Sequence, residues 1–177
     1  MPEALKLAAE KCALAASYGF IGVFPLDNAL TLDSLEKPDQ ARRIAAANEG
    51  LMRGADAMIA NLTPFRGVSM DSGTAFEVGF MRALGRPVTG YTTVIEDYAA
   101  RSSYYRSLSS LPYDGDRPEY DIEDFRCTEN LMITSAIEAS GFSVVIDPTP
   151  PASLSSLSGF EACLNQLRAH FDRIQAA

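Results

Sequence analysis

The chain has 177 residues, of which 47% are hydrophobic and 21% charged, and its formal net charge is −8. This apolar content suffices for a sizeable core, so disordered, collagen-like and low-complexity chains are excluded. The acidic balance also argues against a protein that binds nucleic acid or an anionic membrane through a basic face. The length suits one ordinary globular domain, and we predict a single domain over residues 1–177.

Predicted helices and short strands alternate along the first half of the chain. A stripe of small apolar side chains predicts a helix over residues 3–18, and Gly19 marks its end. Phe20–Phe24 is predicted to form a short apolar strand. Pro38 is suited to begin a second helix, and Ala57–Leu62 is predicted to be a buried strand.

The second half continues the same alternation. We predict a helix from about residue 73 to 84, a strand at Pro87–Tyr91, a helix from about 129 to 140 and a strand at Phe142–Ile146. The last helix opens on Ser-Gly-Phe-Glu at 158–161, which is a capping-box pattern. Apolar strands that alternate with helices predict an α/β fold, in which a parallel sheet is covered on both faces and binds ligands at the carboxyl ends of its strands.

Nothing in the sequence indicates export, a membrane span or a metal site. Met1–Glu10 mixes charges with no apolar core, and the longest apolar stretches fall short of the roughly 18–20 residues that span a bilayer. Cys12, Cys127 and Cys163 form no CxxC pair, and His170 is the single histidine. We therefore predict a cytoplasmic protein with structural cysteines and neither metal nor cofactor, in which carboxylates carry most acid–base chemistry.

The segment Asp71–Gly79 combines a carboxylate, small residues and glycines where a strand–loop–helix crossover faces a ligand site. Glu77 lies one turn after Gly73 and one turn before Met81, so it shares a face with small and apolar residues. A carboxylate in that position either pairs with a cation or does chemistry. The alternative is structural: Asp71 is only a helix cap, and Glu77 only a hydrogen-bonding residue.

Two further features stand out from their surroundings. Asn48 occupies an apolar helical stripe, where it is either a satisfied core amide or an amide that lines the pocket. Six of the seven tyrosines fall between Tyr91 and Tyr120, in a stretch predicted to be largely irregular. This stretch is either a lid for a planar ligand or a tyrosine-rich contact surface. Arg66 and Arg101 either meet an anionic group or are solvated, and we expect solvated loop residues.

Four segments, taken in order, carry a resemblance to a known family. They are FPLDN at residues 24–28, DAMIANLTP at 56–64, DSGTAFEVG at 71–79, and EDF with NLM at 123–125 and 130–132. The set resembles the nucleoside 2-deoxyribosyltransferase family and covers most of residues 12–137. The third segment, joined to the second by a short loop, is the most specific of the four.

The resemblance implies a mechanism and a role for each site residue. In that family the glutamate aligned with Glu77 attacks the anomeric carbon of a 2′-deoxynucleoside and forms a covalent ester, from which a second base takes the sugar with net retention. Asp71 would hold the 5′-hydroxyl of the sugar, and Asn130 of a neighbouring subunit would complete that grip. Asn48 would orient the base. Further substrate contacts are expected at Asp27, Asn28 and Gly73.

The implied partners are 2′-deoxynucleosides and free nucleobases, and the implied role is nucleoside salvage without a cofactor. A site shared between subunits implies a homo-oligomer, a dimer or larger. Two alternatives remain: a hydrolase of deoxynucleosides or their 5′-monophosphates, and a non-catalytic nucleoside- or nucleotide-binding module. Related monophosphate hydrolases tend to carry Ser where this chain has Asp71, so the carboxylate favours an unphosphorylated nucleoside.

The resemblance also implies a flavodoxin- or Rossmann-like arrangement of the parallel sheet. Family members usually begin with a short central strand that carries a Tyr or Phe and an Ala-Gly-Pro-like turn. In this sequence Met1–Ala4 leads directly into the first predicted helix. We therefore expect a sheet that lacks this first strand, or one in which another segment takes its place.

Overall fold

A computed structural model describes residues 2–25, 30, 32–108, 121–148 and 156–176. The predicted substrate residues Asp27 and Asn28 lie outside these ranges, as do Tyr113 and Tyr120 of the tyrosine-rich stretch. Within the described residues, no helix combines the length and the apolar character that a bilayer span needs.

Helices and strands follow the predicted alternation. The helices are α1 (Pro2–Ser17), α2 (Lys37–Gly54), α3 (Ser72–Ala83), α4 (Tyr98–Ser107), α5 (Leu131–Glu138) and α6 (Ser158–Gln175), and the strands are β1 (Met58–Asn61), β2 (Val88–Thr92) and β3 (Val145–Ile146). The three strands are parallel and pair in the order β1-β2-β3. The predicted α/β class with a parallel sheet is therefore confirmed.

The central strand β2 carries side chains to helices on both faces of the sheet. On one face Thr89 bonds to Gln166 of α6 and Tyr91 accepts a hydrogen bond from Lys11 of α1. On the other face α3 and α5 pack against the sheet and against each other, and α2 packs on α3. All five residues of β2 are buried, as expected for a strand covered on both sides.

The last helix is held to the sheet by its apolar stripe and by an acceptor from β3. Cys163, Leu164 and Leu167 form the buried part of this stripe. The predicted capping box at Ser158 is wrong, because Leu157 is the N-cap and makes no side-chain cap bond. Instead Asp147, just after β3, accepts hydrogen bonds from the Gly159 N–H at 2.9 Å and from the Ser158 hydroxyl.

The predicted strand at Phe20–Phe24 is wrong: these residues have no regular secondary structure. The segment lies along α1, where the Gly22 carbonyl accepts a hydrogen bond from the Cys12 thiol, while Ile21 is 93% exposed. An apolar run becomes a strand only where another strand satisfies its backbone groups. Within the described residues β1 is an edge of the sheet, and no strand pairs with it on the side away from β2.

The stretch after β2 is more ordered than predicted, because Tyr98–Ser107 forms α4. Its start is fixed by Asp97, whose side chain accepts the Ala100 N–H at 2.7 Å. The aspartate before a helical segment is a sequence signal that could have found this helix. The helix was not predicted because α4 is rich in tyrosine and serine, which favour helices less than alanine or leucine does. The four described tyrosines of this stretch do not form one lid, because Tyr91 is buried in β2 while Tyr98, Tyr104 and Tyr105 lie on α4.

Candidate functional site

The candidate site lies at the carboxyl edge of the sheet, in the loop that joins β1 to α3. Two hydrogen bonds hold the ends of β1 and β2 together there. The Leu62 N–H donates to the Tyr91 carbonyl at 2.8 Å, and the Thr93 N–H donates to the Thr63 hydroxyl at 3.2 Å. Because the helices run antiparallel to the strands, the N-termini of α3 and α5 both begin at this edge.

Asp71 is the N-cap of α3. Its Oδ2 accepts the Gly73 N–H at 2.9 Å, which satisfies one of the free backbone donors of the first turn. The side chain stays exposed, so the carboxylate is fixed by the helix and yet open to a ligand. The cap predicted as the structural alternative is thus present, and it also fixes the position of the carboxylate.

Gly73 leaves room for that carboxylate. A Cβ built on Gly73 would lie 2.8 Å from Asp71 Oδ2, which is too close for a real contact. Gly79 differs, since a Cβ there would meet nothing within 4 Å. Of the two glycines that flank Glu77, only Gly73 is required by its neighbours among the described residues.

Glu77 is half-buried on α3, between the glycine-containing first turn and the buried residues Val78 and Met81. Burial raises the pKa of its carboxyl group, and the negative charge of Asp71 raises it further. Two carboxylates are therefore held close enough to interact, one exposed and one partly desolvated. Such a partly desolvated carboxylate is a stronger base and nucleophile than a fully solvated one.

Asn130 begins α5 at the same edge of the sheet. Its Oδ1 accepts the Met132 N–H at 3.0 Å, and its Nδ2 donates to Glu123 at 3.0 Å. Glu123 also accepts the Leu131 N–H at 2.7 Å. The side chain of Asn130 is thereby held in one orientation, at the start of a helix that packs against α3.

Asn48 is half-buried on α2, which packs on α3. The stripe that surrounds it is only partly covered, because α2 has no fully buried residue and Ile44 is exposed. Met52 and Ala55, near the end of the helix, do pack against the core. Asn48 therefore lies where the covered part of α2 begins, and its role toward a base stays a prediction.

Sequence reasoning missed a buried ion pair beside the site. Arg101, predicted to be solvated, donates to Glu129 at 2.7 Å, and the two side chains are 11% and 1% exposed. Because Arg101 and Glu129 are 28 residues apart in the sequence, no local pattern could predict that they pair. Arg66, the other loop arginine, lies over the ring of Phe65 and is exposed.

Comparison with known proteins shows the family of the chain. The family model described as nucleoside 2-deoxyribosyltransferase matches residues 1–132, about three quarters of the chain. The chain belongs to the nucleoside 2-deoxyribosyltransferase family. Asp71, Glu77 and Asn130 all fall inside the matched span.

Two individual proteins are similar to this member of the nucleoside 2-deoxyribosyltransferase family. A 2-deoxyribosyltransferase from Leishmania mexicana superposes with a TM-score of 0.58 at 27% identity, covering 89% of this chain and 84% of that one. An uncharacterised protein of Schizosaccharomyces pombe is 34% identical over 107 residues, or 59% of this chain. The chain spans about half the length of that curated relative, 51%.

The contact between Gly73 and Asp71 gives a first test. We expect Gly73→Ala to displace the Asp71 carboxylate and to weaken binding of a 2′-deoxynucleoside roughly tenfold, the equivalent of about 1.4 kcal/mol. Gly79→Ala is the matched control, because it adds the same methyl group to the same helix in open space and should stabilise α3 by about 0.5–1 kcal/mol. Calorimetric titration measures the binding; equal affinities of the two variants would contradict the assigned position of Asp71.

Proposed function

We propose that the chain transfers 2-deoxyribose between nucleobases by a retaining double displacement through Glu77. The observation that carries the proposal is the pairing of a half-buried Glu77 with the capping Asp71, at the ligand-binding edge of a sheet of this family. A carboxylate nucleophile requires neither an imidazole nor a metal, in keeping with a chain that has one histidine.

The first displacement forms a bond from a Glu77 carboxylate oxygen to C1′ of the donor nucleoside. The glycosidic bond breaks, its electron pair leaves with the base, and the base takes up a proton. In the second step a nitrogen of the acceptor base attacks C1′ and loses its proton. The ester bond between C1′ and Glu77 breaks, which restores the free carboxylate. Two inversions at C1′ give overall retention.

Asp71 is proposed to accept a hydrogen bond from the 5′-hydroxyl of the sugar. A carboxylate fixed by its own helix is a good acceptor for a hydroxyl group and repels a phosphate. We therefore propose nucleosides, not their 5′-monophosphates, as substrates. Asn48 is proposed to orient the base, with Gly73, Asp27 and Asn28 as further substrate-binding residues.

The proposal includes a role in nucleoside salvage in the cytoplasm and a homo-oligomeric assembly in which Asn130 serves the site of a neighbouring subunit. Support for the assembly comes from large apolar side chains that are exposed beside the site residues. Phe76 precedes Glu77 and is 57% exposed, and Met132 follows Asn130 by two residues and is 69% exposed. Large apolar side chains that are exposed next to site residues are suited to contact with a partner subunit.

The nucleophile is tested by Glu77→Gln, which keeps the shape of the side chain and removes the reactive carboxylate. We expect exchange between a 2′-deoxynucleoside and a different free base, followed by liquid chromatography, to fall at least about a thousandfold. Mass spectrometry of the wild-type chain should find a deoxyribosyl adduct on the peptide that contains Glu77. Glu138→Gln, an exposed glutamate on α5, should exchange normally.

The same variant distinguishes lost chemistry from lost folding. Because the folded pKa of Glu77 is raised, its contribution to stability is present at acid pH and is lost as the pH rises through the folded pKa. Ionised Glu77 thus costs free energy at pH 7, and Glu77→Gln should unfold at a higher temperature than wild type. Retained exchange in Glu77→Gln would contradict the proposed mechanism. Release of free sugar by the wild-type chain without an acceptor base would instead indicate a hydrolase.

The interaction between the two carboxylates predicts a pH effect. Removing the negative charge with Asp71→Asn should lower the pKa of Glu77 and move the acid limb of kcat/KM to lower pH, on top of weaker substrate binding. The control is Asp97→Asn, which alters the N-cap of α4 in the same way and should leave the limb in place. A limb that stays fixed or moves upward in Asp71→Asn would contradict the pairing.

The assembly is tested by placing a charge in the exposed apolar surface. Met132→Glu should convert a dimer or larger wild-type species toward monomer in sedimentation velocity, because a carboxylate at an apolar interface is desolvated without a partner. Ile174→Glu is matched in exposure, 59% against 69%, but lies at the end of α6 and should leave the assembly intact. A monomeric wild type would refute this part of the proposal.

A further inference from the structure

A buried charged cluster lies next to the proposed site and is not used in the mechanism above. It consists of Ser69, Arg101 and Glu129, referred to below as the Glu129 cluster. The Glu129 carboxylate is 1% exposed and receives Arg101 Nη2 at 2.7 Å and the hydroxyl of Ser69. The backbone N–H groups of Met70 and Asn130 also favour its charged form.

Arg101 uses its remaining donors on backbone carbonyl groups from three segments. Its Nε donates to Val68 at 2.8 Å, and its Nη1 donates to Thr128 at 3.0 Å and to Glu96 at 2.5 Å. One guanidinium group therefore joins the loop before α3, the approach to α4 and the approach to α5. The planar fork of arginine allows this geometry, which a lysine could not reproduce.

The cluster is adjacent in the chain to two polar groups proposed to hold a sugar, Asp71 in the site of its own subunit and Asn130 in the site of a neighbouring subunit. Ser69 and Met70 directly precede Asp71, and Glu129 directly precedes Asn130. The Glu129 carboxylate is bonded to Ser69 in the loop before α3, and Glu129 itself lies at the start of α5. A shift of this carboxylate would therefore move the ends of both segments. Met70 is itself buried, which leaves the loop little freedom to compensate.

Burial of an ion pair is not in itself an efficient way to stabilise a fold, since desolvation offsets much of the attraction. A fully hydrogen-bonded pair does impose one geometry on the segments that it joins. Burial raises the pKa of Glu129, while Ser69, Arg101 and the two N–H groups oppose that shift. The contacts within the cluster thus offset only part of the cost of burying this carboxyl group.

We propose that the Glu129 cluster is a positioning device for the sugar-binding groups: Ser69, Arg101 and Glu129 hold in place the loop that presents Asp71 to the site of its own subunit and the start of α5, which presents Asn130 to the neighbouring site. This inference rests on the proposed function, because it concerns binding of the donor nucleoside. The cluster touches no reacting atom. Its loss should therefore weaken donor binding and leave the chemical step of bound substrate nearly unchanged.

The test uses the mildest change in the cluster, Ser69→Ala, which keeps the ion pair and removes one donor to Glu129. We expect KM for the donor 2′-deoxynucleoside to rise roughly three- to tenfold, the range for one lost hydrogen bond, with kcat within about twofold of wild type. Ser69→Thr keeps a hydroxyl group at this position and should restore the wild-type KM.

The matched control is Ser140→Ala. Ser140 is also half-buried and makes two hydrogen bonds, to the Val88 N–H and the Ala136 carbonyl, but it lies at the opposite end of β2 from Asp71. A structural role alone predicts that both serine-to-alanine variants lower the folded fraction, and hence kcat, at unchanged KM. The positioning role predicts a raised KM in Ser69→Ala only.

Each outcome bears on a different claim. Wild-type exchange, with a KM in Ser69→Ala equal to that of Ser140→Ala, would overturn the positioning role and leave the proposed function standing. A raised KM that Ser69→Thr fails to restore would also overturn it, because the hydroxyl would then not be the cause. Absence of exchange in the wild-type chain would overturn the proposed function and this inference with it.

Discussion

The start of α3 needs an acceptor for its free N–H groups, and the acceptor is Asp71. This one requirement of helix geometry places a carboxylate at the carboxyl edge of the sheet and fixes its distance from Glu77, six residues further on. It also explains the glycine at 73, whose missing side chain makes room for the same carboxylate. Capping and the proposed substrate contact are thus two uses of a single side chain.

The pairing of Asp71 with Glu77 costs free energy, which contacts elsewhere in the fold must offset. Two carboxylates interact unfavourably, and one of them is partly desolvated. The compensating contacts are apolar and lie on either side of the site: Val78 and Met81 beneath α3, and the buried strand β2 at the centre of the sheet. A rigid frame of this kind can hold groups in a strained arrangement that a loop could not maintain.

Much of the frame follows from local patterns in the sequence. Apolar stripes, together with helix start and stop signals such as Pro38 and Gly19, predict five of the six helices in the described part of the chain. The alternation of strands and helices predicts the parallel sheet. What depends on distant partners could not be predicted. Residues 20–24 have the composition of a strand but lack a paired neighbour among the described residues, and Arg101 finds its carboxylate 28 residues away. In the candidate site, Asp71 and Glu77 could be proposed from the sequence because their spacing is local. The interaction between them could not be predicted, since it depends on burial.

The burial of Cys163 gives the three thiols of the chain very different reactivities. Cys163 lies between α6 and β2, where burial raises the pKa of its thiol to about 11, while Cys12 and Cys127 are only half-buried. The nucleophilic form is the thiolate, so an alkylating reagent near neutral pH reaches Cys163 only after α6 has left the sheet. The rate at which this cysteine is modified therefore measures how often α6 leaves the face of the sheet that it covers together with α1.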